Sequence, residues 1–199
     1  MDFSAKQTLH NLFKEAASSC KNCELSSVRK NIVLGEGNVF APLFIVGEAP
    51  GQNEDEQGIP FVGRAGKKLD EILKFFKLER DKNTYITNTV LCRPPGNRTP
   101  LFNEEILACN RRLMCQIYLI KPKVILGLGA AAAKALIGQD KVDNLGELCD
   151  TSHEIAIDDF KCPVAFSYHP SYLLRKQKDK EVAAKARSHW EKVIAILNK

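Results

Sequence analysis

The chain has 199 residues, 44% of them hydrophobic, and a formal net charge of +5. That length suits one domain, residues 1–199, and buries a full core without disulfide support. No apolar run approaches the roughly 20 residues that span a bilayer, which argues against a helical membrane protein. The mildly basic balance suits a polyanionic partner. Met1 to Lys6 show no basic region followed by an apolar core, so no secretory leader is read there and a cytoplasmic location is expected. In that reducing setting, seven cysteines point to metal, catalysis or burial more than to disulfides.

Leu9, Leu12, Phe13 and Ala16 recur at helical spacing and predict a helix over about 4–19, which Cys20-Lys21-Asn22-Cys23 ends. Leu43-Phe44-Ile45-Val46 reads as a buried strand. It runs straight into Gly47-Glu48-Ala49-Pro50-Gly51-Gln52-Asn53-Glu54-Asp55, a Gly/Pro-rich acidic stretch read as a loop. Open α/β sheets place their ligand crevice at such a strand end. The loop continues without helical period through Gly58 to Gly66, and long loops inside compact domains tend to be functional. Leu69, Ile72, Leu73 and Phe76 then share one face of a helix from about Arg64 to Phe76.

Tyr85 to Leu91 is β-rich and predicts a second strand. Three prolines and a glycine keep Cys92 to Pro100 out of regular structure. Asn103, followed by Glu104 and Glu105, predicts a helix cap, with the helix running to about Ile120 and stopping before Pro122. Val124-Ile125-Leu126 is a third strand, Ala130 to Ile137 a short helix, and Cys162 to Tyr168 a further strand. Residues 139–153 carry little apolar period. Val182, Ala186, Val193 and Leu197 define a C-terminal helix from Lys180. Strands alternating with helices imply an α/β fold with a parallel sheet covered on both faces.

Four cysteines stand out. Cys20 and Cys23 form a Cys-x-x-Cys pair, and Cys92 and Cys109 flank the proline-rich segment. By spacing alone they could hold zinc or an iron–sulfur cluster, form a redox pair, or be buried incidentally. A redox pair of the thioredoxin kind precedes its helix, whereas this one follows a helix. Cys115, Cys149 and Cys162 read best as small buried hydrophobes.

The loop from Gly47 and the later run Ser167-Tyr168-His169-Pro170-Ser171-Tyr172-Leu173-Leu174-Arg175 each leave a strand end. Together they resemble the water- and base-binding motif and the His-Pro-Ser motif of the uracil-DNA glycosylase superfamily. With the cysteines, the chain resembles that superfamily's iron–sulfur branch, family 4, over about Cys20 to Arg175. The resemblance implies an α/β/α sandwich around a four-stranded parallel sheet. It implies a [4Fe-4S] cluster on Cys20, Cys23, Cys92 and Cys109, with a structural role in pinning the N-terminal helix and the 93–108 segment.

The resemblance also implies a monofunctional, monomeric enzyme that removes uracil from single- and double-stranded DNA. Its abasic product would pass to downstream repair enzymes. Such an enzyme must take the base out of the stack. Phe61 is then the stacking aromatic and Asn88 the uracil reader, its amide matching O4 and N3–H together. Gly47 and Ala49 line the base site, and Ser171 binds a phosphate near the lesion. His169, as a neutral imidazole, donates to O2 of the departing anion.

Where another branch carries a water-orienting aspartate, this chain has Ala49. Glu54 is therefore read as positioning water or meeting the sugar's charge, with Glu48 shaping the loop or pocket, while Asp55 and Glu56 read as a solvated loop face. Gly51 stands where a tyrosine elsewhere blocks the thymine methyl, so thymine must be excluded by another group, with Glu54 the candidate. Leu173 corresponds to the wedge that fills the vacated stack. Arg64, Arg175, Arg93, Arg98, Lys67 and Lys176 are candidates for phosphates.

Two other classes fit less of the chain. Gly127-Leu128-Gly129 after a strand partly matches a dinucleotide-binding fingerprint, the signature of an oxidoreductase, but it does not sit on the first strand. A non-catalytic iron–sulfur DNA-binding module would need none of Phe61, Asn88 and His169.

Overall fold

A computed structural model describes residues 3–199; Met1 and Asp2 of the N-terminal stretch lie outside the described residues. Among the described residues, six strands form one sheet: β1 (Glu36–Gly37), β2 (Leu43–Gly47), β3 (Thr84–Asn88), β4 (Val124–Leu128), β5 (His153–Ile157) and β6 (Phe160–Ser167). Their order is β1-β3-β2-β4-β6-β5. The expected four parallel strands are the centre of this sheet, β3-β2-β4-β6. The structure adds β1 and β5 as antiparallel edges, so the sheet as a whole is mixed.

Among the described residues, ten α-helices accompany the sheet: α1 (Phe3–Ser18), α2 (Leu25–Val28), α3 (Gln52–Gln57), α4 (Arg64–Phe75), α5 (Arg80–Asn83), α6 (Leu107–Ile120), α7 (Ala130–Ile137), α8 (Leu145–Asp150), α9 (Pro170–Arg175) and α10 (Lys180–Leu197). Every residue of β2, β3 and β4 is buried, as expected for strands covered on both faces. Their pleat divides the core in two. Phe44, Val46, Tyr85 and Ile125 join Leu113 and Ile117 of α6 and Ala132 and Leu136 of α7. Leu43, Ile45, Ile86, Val124 and Leu126 join Leu69 and Leu73 of α4 and Trp190 and Val193 of α10. These are the three layers of an α/β/α sandwich.

Several local expectations change. Residues 52–57 are helical, with Gly58 at φ 72 stopping the turn. Six polar residues are too few to show a period, so the sequence reads as loop. Asn103 lies inside a π-helical turn, Phe102–Ile106, and Leu101 is the cap position. The capping contact comes from Glu105, whose carboxylate accepts from Leu101 N at 2.8 Å. β3 stops at Asn88 instead of reaching Leu91; Thr89 N makes its last bond to β2, to Gly47 O at 3.0 Å, before the chain leaves the sheet. The weakly patterned 139–153 region holds α8 and leads into the edge strand β5.

Candidate active site

The four parallel strands end on one side of the sheet. The chain steps from β2 outward to β3, then back across β2 to β4, and such a reversal opens a crevice beyond the strand ends. Gly47 ends β2, Asn88 ends β3, and β6 ends at Ser167, two residues before His169. One cavity there is lined by Glu48, Ala49, Gly51, Glu54, Phe61, Arg64, Asn88, Arg98, His169, Ser171 and Arg175, among others. Most of the residues expected from both loops are thus brought together, while Leu173 does not line the cavity.

Gly47 makes the floor possible. A Cβ on it would overlap both the Asn88 amide oxygen and the Phe61 ring. Asn88 is only 2% exposed, and among the described residues its side-chain amide has no protein hydrogen bond. The amide is not fully enclosed; it opens onto the crevice, where a bound group could supply its partners.

Phe61 is buried, with its ring centroid 5.9 Å from that of His169. Its backbone is left-handed, φ 55, a conformation that costs a non-glycine residue about 1–2 kcal/mol. Three contacts hold it there. The Glu54 carboxylate accepts from Val62 N at 2.9 Å and Gly63 N at 2.7 Å, and also from Gly51 N at 3.1 Å. Arg80 donates to Pro60 O at 3.0 Å and Phe61 O at 2.5 Å. Gly66 on α4 leaves room for the Phe61 carbonyl, which a Cβ would strike. Sequence reasoning missed Arg80, because one arginine in the charged run Glu79 to Lys82 carries no signal.

Glu54 therefore spends its oxygens on main-chain amides. Asp55 is not a solvated face: it is 2% exposed, and its Oδ1 accepts from Lys30 N at 2.9 Å and Asn31 N at 3.2 Å. Glu48 lines the crevice half-buried, and among the described residues its carboxylate has no hydrogen-bond partner. Its main-chain oxygen is held by Thr89 Oγ1 at 2.5 Å.

His169 caps α9. Its Nδ1 accepts from Ser171 N at 3.2 Å and lies 2.8 Å from Ser171 Oγ. An Nδ1 that accepts an amide proton leaves the ring proton on Nε2. Burial, helped by the Arg175 charge, pushes the His169 pKa down to about 4, so the ring is neutral at pH 7. The half-matched dinucleotide stretch serves this residue: Gly129, at φ 89, would carry a Cβ only 3.2 Å from that of His169. Around the rim, Arg64 and Arg175 are exposed. Arg98 is gripped by Glu105 at 2.6 and 2.9 Å. Leu173, expected as a wedge, is 8% exposed, since Pro170 and Leu173 form the buried face of α9.

Cys20, Cys23, Cys92 and Cys109 line a second cavity, together with Leu25, Arg29 and Ala108. Arg29 donates to Cys92 Sγ at 3.2 Å and to Cys20 O at 2.8 Å. Among the described residues, no three His, Cys, Asp or Glu side chains gather as ligands of one ion. Four thiols around a shared cavity are a donor set that an iron–sulfur cluster or zinc takes. Burial pushes the Cys109 thiol up to about 12, and a coordinating metal would deprotonate it. Cys149 and Cys162 are buried, as expected of small hydrophobes, whereas Cys115 is exposed.

This is an α/β protein whose crevice offers a planar ring one aromatic face, one unpaired amide and one neutral imidazole. The uracil DNA glycosylase superfamily model matches residues 34–197, and the chain belongs to that superfamily. It is 43% identical over 173 residues to a type-4 uracil-DNA glycosylase of Pyrobaculum aerophilum, covering 85% of each chain. It is 39% identical over 174 residues to the type-4 enzyme of Thermotoga maritima, covering 87% of this chain and 88% of that one. With the type-4 protein of Sulfurisphaera tokodaii it shares 42% over 164 residues, 81% of this chain and 74% of that one. Among the described residues, no helix is long and apolar enough to cross a membrane.

Proposed function

We propose that the chain is a monofunctional uracil-DNA glycosylase that hydrolyses the N-glycosidic bond of deoxyuridine in single- and double-stranded DNA. The observation that carries this reading is the Asn88 amide, without a protein partner among the described residues and open to the crevice, set beside Phe61 and a neutral His169. An amide offers one donor and one acceptor, the complement of uracil O4 and N3–H; cytosine reverses that pattern. Phe61 supplies the stacking face for the extruded base.

As the bond from C1′ to N1 breaks, electrons move onto uracil and O2 gains negative charge. The Nε2–H of His169 donates to that oxygen without full proton transfer, and a preorganised donor of this kind contributes about 10²–10³ in rate. Water adds its oxygen to C1′, its proton passes to solvent, and the released uracil anion takes a proton from solvent. The Glu48 carboxylate, free of protein partners, suits orienting that water and balancing the sugar's positive charge, with Glu54 fixing the loop. Arg64 and Arg175 meet phosphates, and Ser171 sets the His169 tautomer in addition to any phosphate contact. Leu173 would serve as wedge only if α9 shifts on DNA.

Cys20, Cys23, Cys92 and Cys109 would hold a [4Fe-4S] cluster that cross-links the N-terminal helix to the segment beside the crevice. We read the protein as a monomer acting in the cytoplasm, its abasic product passing to abasic-site repair enzymes. The test is base release from an oligonucleotide with one uracil, followed by alkali. Release of uracil with breaks only after alkali supports the reading; breaks without alkali would mean a lyase, and no release would overturn it.

A further inference from the structure

We propose that Arg80 is a positioning residue for base binding, acting at a distance by holding Phe61 in the one backbone conformation that turns its ring into the crevice. This rests on the glycosylase reading of that crevice. Arg80 belongs to α5 and is not among the residues lining the cavity. Its guanidinium bridges two successive carbonyls, Pro60 O at 3.0 Å and Phe61 O at 2.5 Å, while Nε is fixed by Asp70 Oδ1 at 2.6 Å.

Glu54 takes the next two amides, Val62 N and Gly63 N. The turn from Pro60 to Gly63 is therefore clamped through its carbonyls by a cation and through its amides by an anion. Phe61 between them has φ 55. Phenylalanine relaxes to negative φ when nothing prevents it, and that rotation carries its Cβ to another direction. The ring would then leave the position against Gly47 that brings it beside the Asn88 amide and His169. A planar guanidinium can serve two carbonyls and a carboxylate in one plane; a lysine ammonium keeps the charge but not the fork.

The test is a double-mutant cycle on the cluster-loaded protein, with Arg80→Lys made in the native and in the Phe61→Ala background. Single-turnover uracil excision, inhibition by free uracil and the thermal midpoint are read for each. In the native background R80K is expected to slow excision and weaken uracil inhibition by about tenfold, within the range of one base–aromatic stack. In the Phe61→Ala background, with no ring left to place, the further loss in excision should be under about twofold. Equal losses in both backgrounds, or no loss in the native one, would overturn the role of Arg80 and leave the glycosylase reading intact. Absence of uracil release from the unmutated protein would overturn both.

Discussion

Glu54 separates two accounts of the crevice, and Glu54→Gln tells them apart. The carboxylate accepts from three main-chain amides, two on Oε1 and one on Oε2. A glutamine can turn its oxygen to Val62 and Gly63, which sets its NH2 against the Gly51 amide. One bond is then lost and two lose their ionic assistance. Hydrogen bonds to a charged group contribute about 1.5–3 kcal/mol each, so the variant should lose about 2–4 kcal/mol. For a chain of this size that is a fall of roughly 4–16 °C in thermal midpoint. Scanning calorimetry of the cluster-loaded protein reads the first quantity, and single-turnover excision well below the midpoint reads the second. The structural role predicts a lowered midpoint with excision reduced no more than about tenfold, the cost of a less ordered Phe61 turn. An unchanged midpoint with excision down a hundredfold or more would refute it and return Glu54 to the chemical step.

His169 is neutral in the fold down to about pH 4, against 6.5 for a free imidazole. Its neutrality adds stability that is full above 6.5 and is lost as pH falls from there through about 4. The single-turnover rate should accordingly show no inflection near pH 6.5, and an inflection there would contradict the desolvated ring. Gly47→Ala drives a methyl into the Phe61 ring and the Asn88 amide. Such overpacking costs about 1–3 kcal/mol, and free-uracil inhibition should weaken accordingly by tenfold or more; unchanged inhibition would move base binding elsewhere. Cys109→Ser should lose iron and sulfide and lower the thermal midpoint, whereas full iron content with an unchanged midpoint would remove Cys109 from the ligand set.

The layers were legible because period and composition agreed with them. Leu43–Val46 and Val124–Leu126 are continuous apolar runs and lie buried in the sheet, and the helices Ala130–Ile137 and Lys180–Leu197 have the boundaries their patterns give. The edge strand β5 was missed because it is short and only Ile155 of its five residues is buried, which leaves little apolar signal in the sequence. At the site, residue types were legible but their duties were not. Glu48 and Glu54 are alike in sequence; only the fold hands the amides of 51, 62 and 63 to one of them. Asp55 read as solvated because its donors, Lys30 and Asn31, lie more than twenty residues away. Arg80 reaches Phe61 through backbone carbonyls, which leave no trace in any motif.

The most direct measurement compares the unmutated, cluster-loaded protein with His169→Ala on one oligonucleotide carrying a single uracil, reading base release and DNA binding in parallel. The account predicts uracil release by the unmutated protein and none of thymine or cytosine. The variant should lose about 10²–10³ in rate, the contribution of one preorganised donor, and keep its DNA affinity within a few-fold. No release by the unmutated protein, or equal losses of rate and binding in the variant, would contradict it.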